Sequence, residues 1–306
     1  MVGTFPADGE SGGATVTRTP PSATVVIPTY DREHLLDLTL SSLVAQSRQD
    51  VEVVVVDDGS TDATKSVVER FVGRLDLTYV FQPDEGFRVA RARNRGIRLA
   101  EAPVVVFVDS GVILHPQAVE AHLRAQDGAD VVVGRLLGFR QDDSANAALL
   151  DAWSAAGGAD FPALEQLLDL RDPREQCFED VDVPFASWPA PWALFWTANV
   201  SVATGLLRAA GCFDEAFTSW GVEDTDLGYR LHRAGGRYRW CHDAVGFHHP
   251  HDKPRRSRQM SAETNRRYLA RKFPDDPAVQ LLTTHRAVHL NSVLLGRLPT
   301  TQGIRA

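Results

Sequence analysis

The sequence predicts an α/β protein on a doubly wound, mainly parallel sheet flanked by helices, and three observations lead there. Short apolar runs recur at 23–28, 51–56, 77–81 and 104–108, separated by stretches of helical spacing. Those runs lack polar alternation, as strands covered on both faces do. The β-α-β-α-β-α-β order then lays successive strands side by side through crossover helices.

Taken in order, residues 1–22 are rich in Gly, Ser, Thr and Pro and read as a disordered leader. The run A-T-V-V-I-P at 23–28 is the first strand, and Leu35, Leu36, Leu40 and Leu43 give 33–46 a helical face. The valine-rich run 51–56 ends on Asp57-Asp58-Gly59, 62–72 is helical, 77–81 extended and 88–100 helical. The strand 104–108 stops at Asp109-Ser110-Gly111. Beyond Gln126 the rhythm breaks. A strand is expected at 131–133, then a substrate-shaping insertion over 134–192. Regular patterning returns at 197–212, a helix over 224–234 stops at Gly235-Gly236, and another is expected over 261–273.

Composition narrows the function. Hydrophobic and charged fractions of 43% and 24% are those of an ordinary globular protein, and a net charge of −8 argues against general nucleic-acid binding. Cys177, Cys212 and Cys241 fit neither a disulfide framework nor a zinc module. The N-terminus has no basic start followed by an apolar stretch, and no window approaches a membrane span. The chain therefore reads as cytoplasmic.

Ligands of open α/β sheets bind beyond the carboxyl ends of the strands. Here those ends read Pro28-Thr29-Tyr30-Asp31-Arg32, Asp57-Asp58-Gly59-Ser60 and Asp109-Ser110-Gly111. They carry acids, hydroxyls and an aromatic. No G-x-G-x-x-G follows the first strand and no G-K-[ST] occurs, which removes dinucleotide and P-loop readings. Ser60 or Thr61 caps the next helix, but capping does not account for two adjacent acids on a buried strand end, where both repulsion and desolvation cost energy.

V-V-I-P-T-Y-D-R, V-E-V-V-V-V-D-D-G-S-T-D, G-F-R-V-A-R-A-R-N-R-G and V-V-F-V-D-S-G occur in that order. A-N-V-S-V, W-G-V-E-D-T-D-L-G-Y-R-L and G-F-H-H-P follow in the second half. Together they resemble the family 2 glycosyltransferases, which have the GT-A fold, and in particular the catalytic domains of chondroitin polymerase. The W-G-x-E-D block is similar to that of β-1,4-galactosyltransferases. The resemblance implies one domain over 23–275, with a nucleotide-sugar half at 23–126, an acceptor half at 127–250 and a basic flap at 251–260. Residues 276–306 are left as a C-terminal extension.

Carried onto this sequence, the resemblance puts Pro28, Tyr30 and Arg32 around the nucleotide and Asp58 on its uracil or ribose. It puts Asp109 beside the metal and diphosphate, and Asn94 at the donor pocket. Arg88, Arg91, Arg93 and Arg95 read mostly as a solvated helix face. Asp224 is implied as the general base, with Glu223, Trp220 and Asn199 on the acceptor; Asp226 is read as a helix-start acid. A divalent cation, Mn2+ or Mg2+, would offset charge on the leaving diphosphate, held by Asp109 and His248. Gly111 stands where such pairs have their second carboxylate, as in some small-molecule glycosyltransferases. His249 and His251 are read as bystanders, and no histidine pairs with cysteine at finger spacing.

Lys253, Arg255, Arg256 and Arg258 form a dense basic patch, read as a flap over the diphosphate. The implied activity is inverting transfer from a UDP-sugar to a small molecule or glycan. Two rival classes stand beside it. One is a nucleotide-sugar-binding protein without catalysis, which Gly111 favours and the Glu223-Asp224 pair opposes. The other is a sugar nucleotidyltransferase, which would need a lysine-bearing phosphate loop.

Overall fold

The computed structural model describes residues 2–4, 20–138, 148, 150–153, 161, 171–251 and 255–298. Its strands are β1 (Val2–Thr4), β2 (Ala23–Thr29), β3 (Val51–Asp57), β4 (Asp76–Phe81), β5 (Val104–Val108), β6 (Val112–Leu114), β7 (Val131–Leu137), β8 (Asn199–Ala203) and β9 (Tyr238–His248). They form a sheet in the order β1-β4-β3-β2-β5-β8-β7-β9-β6. Strands β4, β3, β2 and β5 run parallel, as the valine runs predict. Strand β8 enters antiparallel between β5 and β7, so the sheet is mixed.

Alternate side chains feed two cores. Val25, Ile27, Val53 and Val55 pack with Leu36, Leu40 and Leu43 of helix α1 (Glu33–Val44) on one face. Val26, Val105 and Phe107 pack with Ala90 and Ile97 of helix α3 (Val89–Leu99) on the other; the short α2 (Thr64–Glu69) lies between them in sequence. Leu36 and Leu40 are fully buried, so truncating either to Ala costs about 2–5 kcal/mol. Gly96 brings α3 against β2 so closely that a Cβ there would collide with Val26. That approach sets the depth of the α3 side chains beneath the strand ends.

The remaining helices are α4 (Ala118–Ala125), α5 (Gln176–Asp180), α6 (Thr204–Ala209), α7 (Glu223–Arg233), α8 (Arg255–Lys272), α9 (Pro277–Leu281) and α10 (Leu290–Leu294). Among the described residues no helix is long and apolar enough to cross a membrane.

Several expectations change here. Strand β7 extends to Leu137 because β9 pairs along its whole length. Residues 171–196 are core rather than insertion: Trp188, Trp192 and Phe195 pack with β5 and β8, and Arg174 is buried against Asp172 and between the Trp196 and Trp240 rings. The C-terminal extension is also integral. Val279, Leu282, Val288 and Leu290 join the same core, and Asn291 exchanges hydrogen bonds with the Ala190 backbone. Val2–Thr4, expected as disordered leader, pairs antiparallel with β4; residues 5–19 lie outside the described ones. The flap expected at 251–260 is mostly the first turns of α8. Lys253 and the side chains of Arg255 and Arg256 lie outside the described residues.

Candidate active site

The chain turns from β2 to β3 and β4 on one side and β5 on the other, which opens a crevice at the strand ends. Asp57 and Asp58 both sit there, with different surroundings. Asp57 Oδ1 accepts from the amides of Gly59 (3.1 Å) and Ser60 (2.7 Å), and its Oδ2 accepts from the Tyr79 hydroxyl at 2.7 Å. It is a turn residue. Asp58 accepts from the Gln82 amide and from the Arg88 backbone N–H at 2.9 Å, and burial raises its pKa. Tyr30 is exposed and donates to Asp84 at 3.1 Å. Burial lowers the pKa of Arg32, and the Asp109 carboxylate opposes that shift.

The Asp109 turn has its own geometry. The amide of Val112 donates to the Asp109 carbonyl (3.0 Å), that of Gly111 to Thr39 Oγ1 (2.9 Å), and the Ser110 hydroxyl to the Pro28 carbonyl (2.9 Å). Gly111 has φ +99°, a backbone region open to glycine and strained for aspartate. The second carboxylate of a metal pair is therefore missing at a position whose backbone favours glycine.

Arg93 links this turn to the second half of the chain. Almost wholly buried, it donates to Asp109 Oδ1 at 2.9 Å and to Glu223 Oε1 at 3.0 Å, and packs over the Phe213 ring. The solvated-face reading fails for this arginine. The sequence held the signal: Ala90, Arg93, Asn94 and Ile97 share one helical face, and all four are buried. Asn94, expected at the donor pocket, uses both ends of its amide on the turn before α7, bonding Phe213 N and O and the Glu215 carboxylate. It is a brace.

Helix α7 begins on Glu223 and Asp224. Glu223 is buried, and its Oε2 has no partner among the described residues. Asp224 is half-buried and accepts from the Thr225 amide at 2.7 Å. Burial, then the Glu223 charge, push its pKa up to about 7, against the pull of Arg93. The preceding Val222 has φ +77°, a β-branched residue in left-handed backbone that costs about 1–3 kcal/mol. Asn265 of α8 holds that loop by donating to the carbonyls of Ser219 (3.0 Å) and Gly221 (2.7 Å). Trp220 stands exposed beside the Arg258 guanidinium, 5.2 Å from its ring centre.

Two expectations about this half are corrected. Asp226 is no mere helix-start acid: it is fully buried, paired with Arg230 (2.7 Å) and Lys272 (2.7 Å). Asn199, expected on the acceptor, lies inside the sheet. It donates to the carbonyls of Arg135 and Ala244 and meets His122 Nε2 at 2.9 Å, so no group of its amide faces the crevice.

At the far edge, His248 of β9 is buried opposite Val112 and stacks on His251, while the His249 amide donates to the Gly111 carbonyl at 2.8 Å. His249 is no bystander. With His34 and Asp151 it forms a cluster whose ligand atoms lie within 4.8 Å of one another.

The sequence profile of Glycosyl transferase family 2 matches residues 24–177. Validoxylamine A glucosyltransferase of Streptomyces hygroscopicus subsp. limoneus is 40% identical over 267 residues, covering 83% of this chain and 57% of that protein. Chondroitin synthase of Escherichia coli is 33% identical over 237 residues, covering 73% of this chain and 34% of that protein. The chain thus spans little more than half, or less, of these relatives. The structure of S. aureus TarS 1-349 in complex with UDP-GlcNAc superposes with a TM-score of 0.60 at 19% identity, covering 90% of this chain and 72% of that one. A Pyrobaculum calidifontis mannosyltransferase in complex with GDP-Man and Mn2+ gives 0.57 at 20% identity, covering 92% and 73%. These two likenesses bear on the fold, which is GT-A. With its parallel strand ends, its paired acids on α7 and the matched profile, the chain belongs to glycosyl transferase family 2.

Proposed function

We propose that the chain transfers a hexosyl group, with inversion, from a nucleotide sugar to a hydroxyl of a small sugar-like acceptor. The observation that carries this reading is the Asp109–Arg93–Glu223 bridge, which ties the donor strand end to the acid pair on α7. A carboxylate poised near pH 7 suits Asp224 to take the acceptor proton. As that proton moves to Asp224, the hydroxyl oxygen bonds the anomeric carbon and the bond to the diphosphate breaks, its electron pair leaving with the nucleotide. Glu223 Oε2, buried and unpartnered, is offered a donor by an acceptor hydroxyl. Trp220 presents an apolar face to the acceptor ring.

On the donor side, Pro28, Tyr30, Arg32 and Asp58 surround the nucleotide. UDP is taken as the donor nucleotide; similar folds are known with UDP-GlcNAc and with GDP-Man, and a donor panel separates the two. A small acceptor is favoured over a glycan because the validoxylamine A glucosyltransferase is more similar than the chondroitin synthase. Asp109 and His248 fit a divalent cation, Mn2+ or Mg2+, but thinly. Asp109 Oδ1 is already held by Arg93 and Gly111 adds no ligand, so the diphosphate would supply most of the shell. Such an ion would stabilise charge on the departing phosphate.

The test is a thermal-shift panel of UDP-, GDP- and dTDP-sugars, each with and without Mn2+ or Mg2+. One nucleotide should raise the melting temperature, most with the cation present. No shift with any of them would falsify the assignment. A second reading, binding without turnover, draws on Gly111. Donor consumption by the wild type but not by Asp224→Asn would remove it.

A further inference from the structure

We infer that His34, Asp151 and His249 form a binding site for a divalent transition-metal ion of the zinc class, distinct from the cation proposed on the diphosphate. His34 lies in the first turn of α1, Asp151 in the described stretch 150–153, and His249 directly after β9. The Nε2 atoms of both histidines converge on one oxygen, Asp151 Oδ1, at 3.0 and 3.1 Å. All three ligand atoms lie within 4.8 Å of one another. Bonds of about 2.0–2.1 Å from zinc to nitrogen and oxygen give neighbouring tetrahedral ligands a separation of about 3.3 Å. Both nitrogens already stand within a few tenths of an ångström of that separation from the shared oxygen, and a water would take the fourth tetrahedral place.

The tautomer of His249 is the second observation. Its Nδ1 lies 2.8 Å from the Pro250 carbonyl oxygen, which can only accept, so Nδ1 carries the proton. In the neutral ring, Nε2 then presents a lone pair to the Asp151 carboxylate oxygen. Two lone pairs at 3.1 Å repel, and a cation between them removes the repulsion. A backbone carbonyl on Nδ1 is also the usual support of a metal-bound imidazole. His249 is buried and anchored by its amide to Gly111, whereas His34 and Asp151 are open to solvent, which gives the ion a route in.

Two imidazoles and one carboxylate select zinc-like ions over Mg2+ or Ca2+, which prefer oxygen shells. The ion would clip α1, the stretch holding Asp151 and the end of β9 together at the back of the Asp109 turn. The inference does not rest on the donor assignment, because it needs no nucleotide.

The experiment is equilibrium dialysis of chelator-treated full chain against Zn2+ without nucleotide, with metal analysis of the retained ion. Co2+ in place of Zn2+ adds a visible spectrum. The wild type should retain one ion per chain, and Asp151→Asn or His34→Gln should weaken retention about tenfold or more. Both changes are on exposed side chains, so circular dichroism should show an unaltered fold. Asp109→Asn should keep the ion. Equal retention in wild type and the Asp151 and His34 variants overturns the inference. Loss of the ion in Asp109→Asn also overturns it, by moving the ion to the strand end.

Discussion

Two of the chain's adjacent acid pairs, Asp57-Asp58 at the end of β3 and Glu223-Asp224 at the start of α7, are finished differently. On β3 every carboxylate oxygen meets a protein donor: turn amides, the Tyr79 hydroxyl, Gln82 and the Arg88 amide. On α7 the supply falls short. Glu223 keeps a buried oxygen without a partner, and Asp224 has its pKa pushed to about 7. The supplied carboxylates are held in fixed positions, Asp58 at the proposed nucleotide crevice; the undersupplied pair keeps an acceptor for a further donor. Counting donors separates the two roles where sequence alone shows only two pairs of acids.

The sharpest way to break that comparison is to remove the proposed base from the undersupplied pair. Asp224→Asn should lower turnover by about 10²–10⁴-fold while leaving nucleotide binding unchanged, read by steady-state kinetics beside thermal shift. Wholesale loss of nucleotide binding would show that the residue is structural. Arg93→Ala should come next. It strips the cation from two carboxylates and should destabilise the fold by about 3–5 kcal/mol in urea denaturation. A loss below about 1 kcal/mol would mean the bridge is solvated.

The satisfied pair should respond more mildly. Asp57→Asn leaves its turn amides one weaker acceptor, and a cost of about 1–2 kcal/mol is expected with donor affinity little changed. A large loss of donor affinity would turn Asp57 into a ligand contact.

The pH response tests Asp224 directly. Asp224 has a folded pKa raised above its ordinary value, so the folded state binds more protons between about pH 4 and pH 7, and stability falls as pH rises through that window. Turnover should rise over the same range, with a midpoint near pH 7. Asp224→Asn should then be more stable than wild type at pH 8 and no more stable at pH 4, read by urea denaturation at the two pH values. The smallest effect is expected at the strand end. Gly111→Asp should cost about 1–2 kcal/mol from its left-handed backbone, measured by melting temperature, without strengthening Mn2+ binding.

Local patterning carried most of the first half. The valine runs become β2, β3 and β5 because burial on both faces leaves an unmistakable composition. Antiparallel β8, slotted between β5 and β7, is a tertiary fact with no local period. That explains the error at Asn199: its motif suggested the acceptor, and only the pairing with β5 places it inside the sheet. Arg93 was legible from helical spacing but hidden by its charge among three other arginines. The His34–Asp151–His249 cluster was not legible at all, since its members are 117 and 98 positions from Asp151 and meet only through the fold.

Asn265 gives the chain a timetable. Val222 holds its left-handed backbone just before Glu223 and Asp224, and the loop carbonyls around it are gripped by an amide 44 residues downstream. During synthesis the nucleotide half can collapse early, because β2, β3, β4 and β5 are local in sequence. The strained loop must wait until α8 has emerged and docked. Until then the acid pair on α7 lacks the Asn265 brace that holds the loop before it.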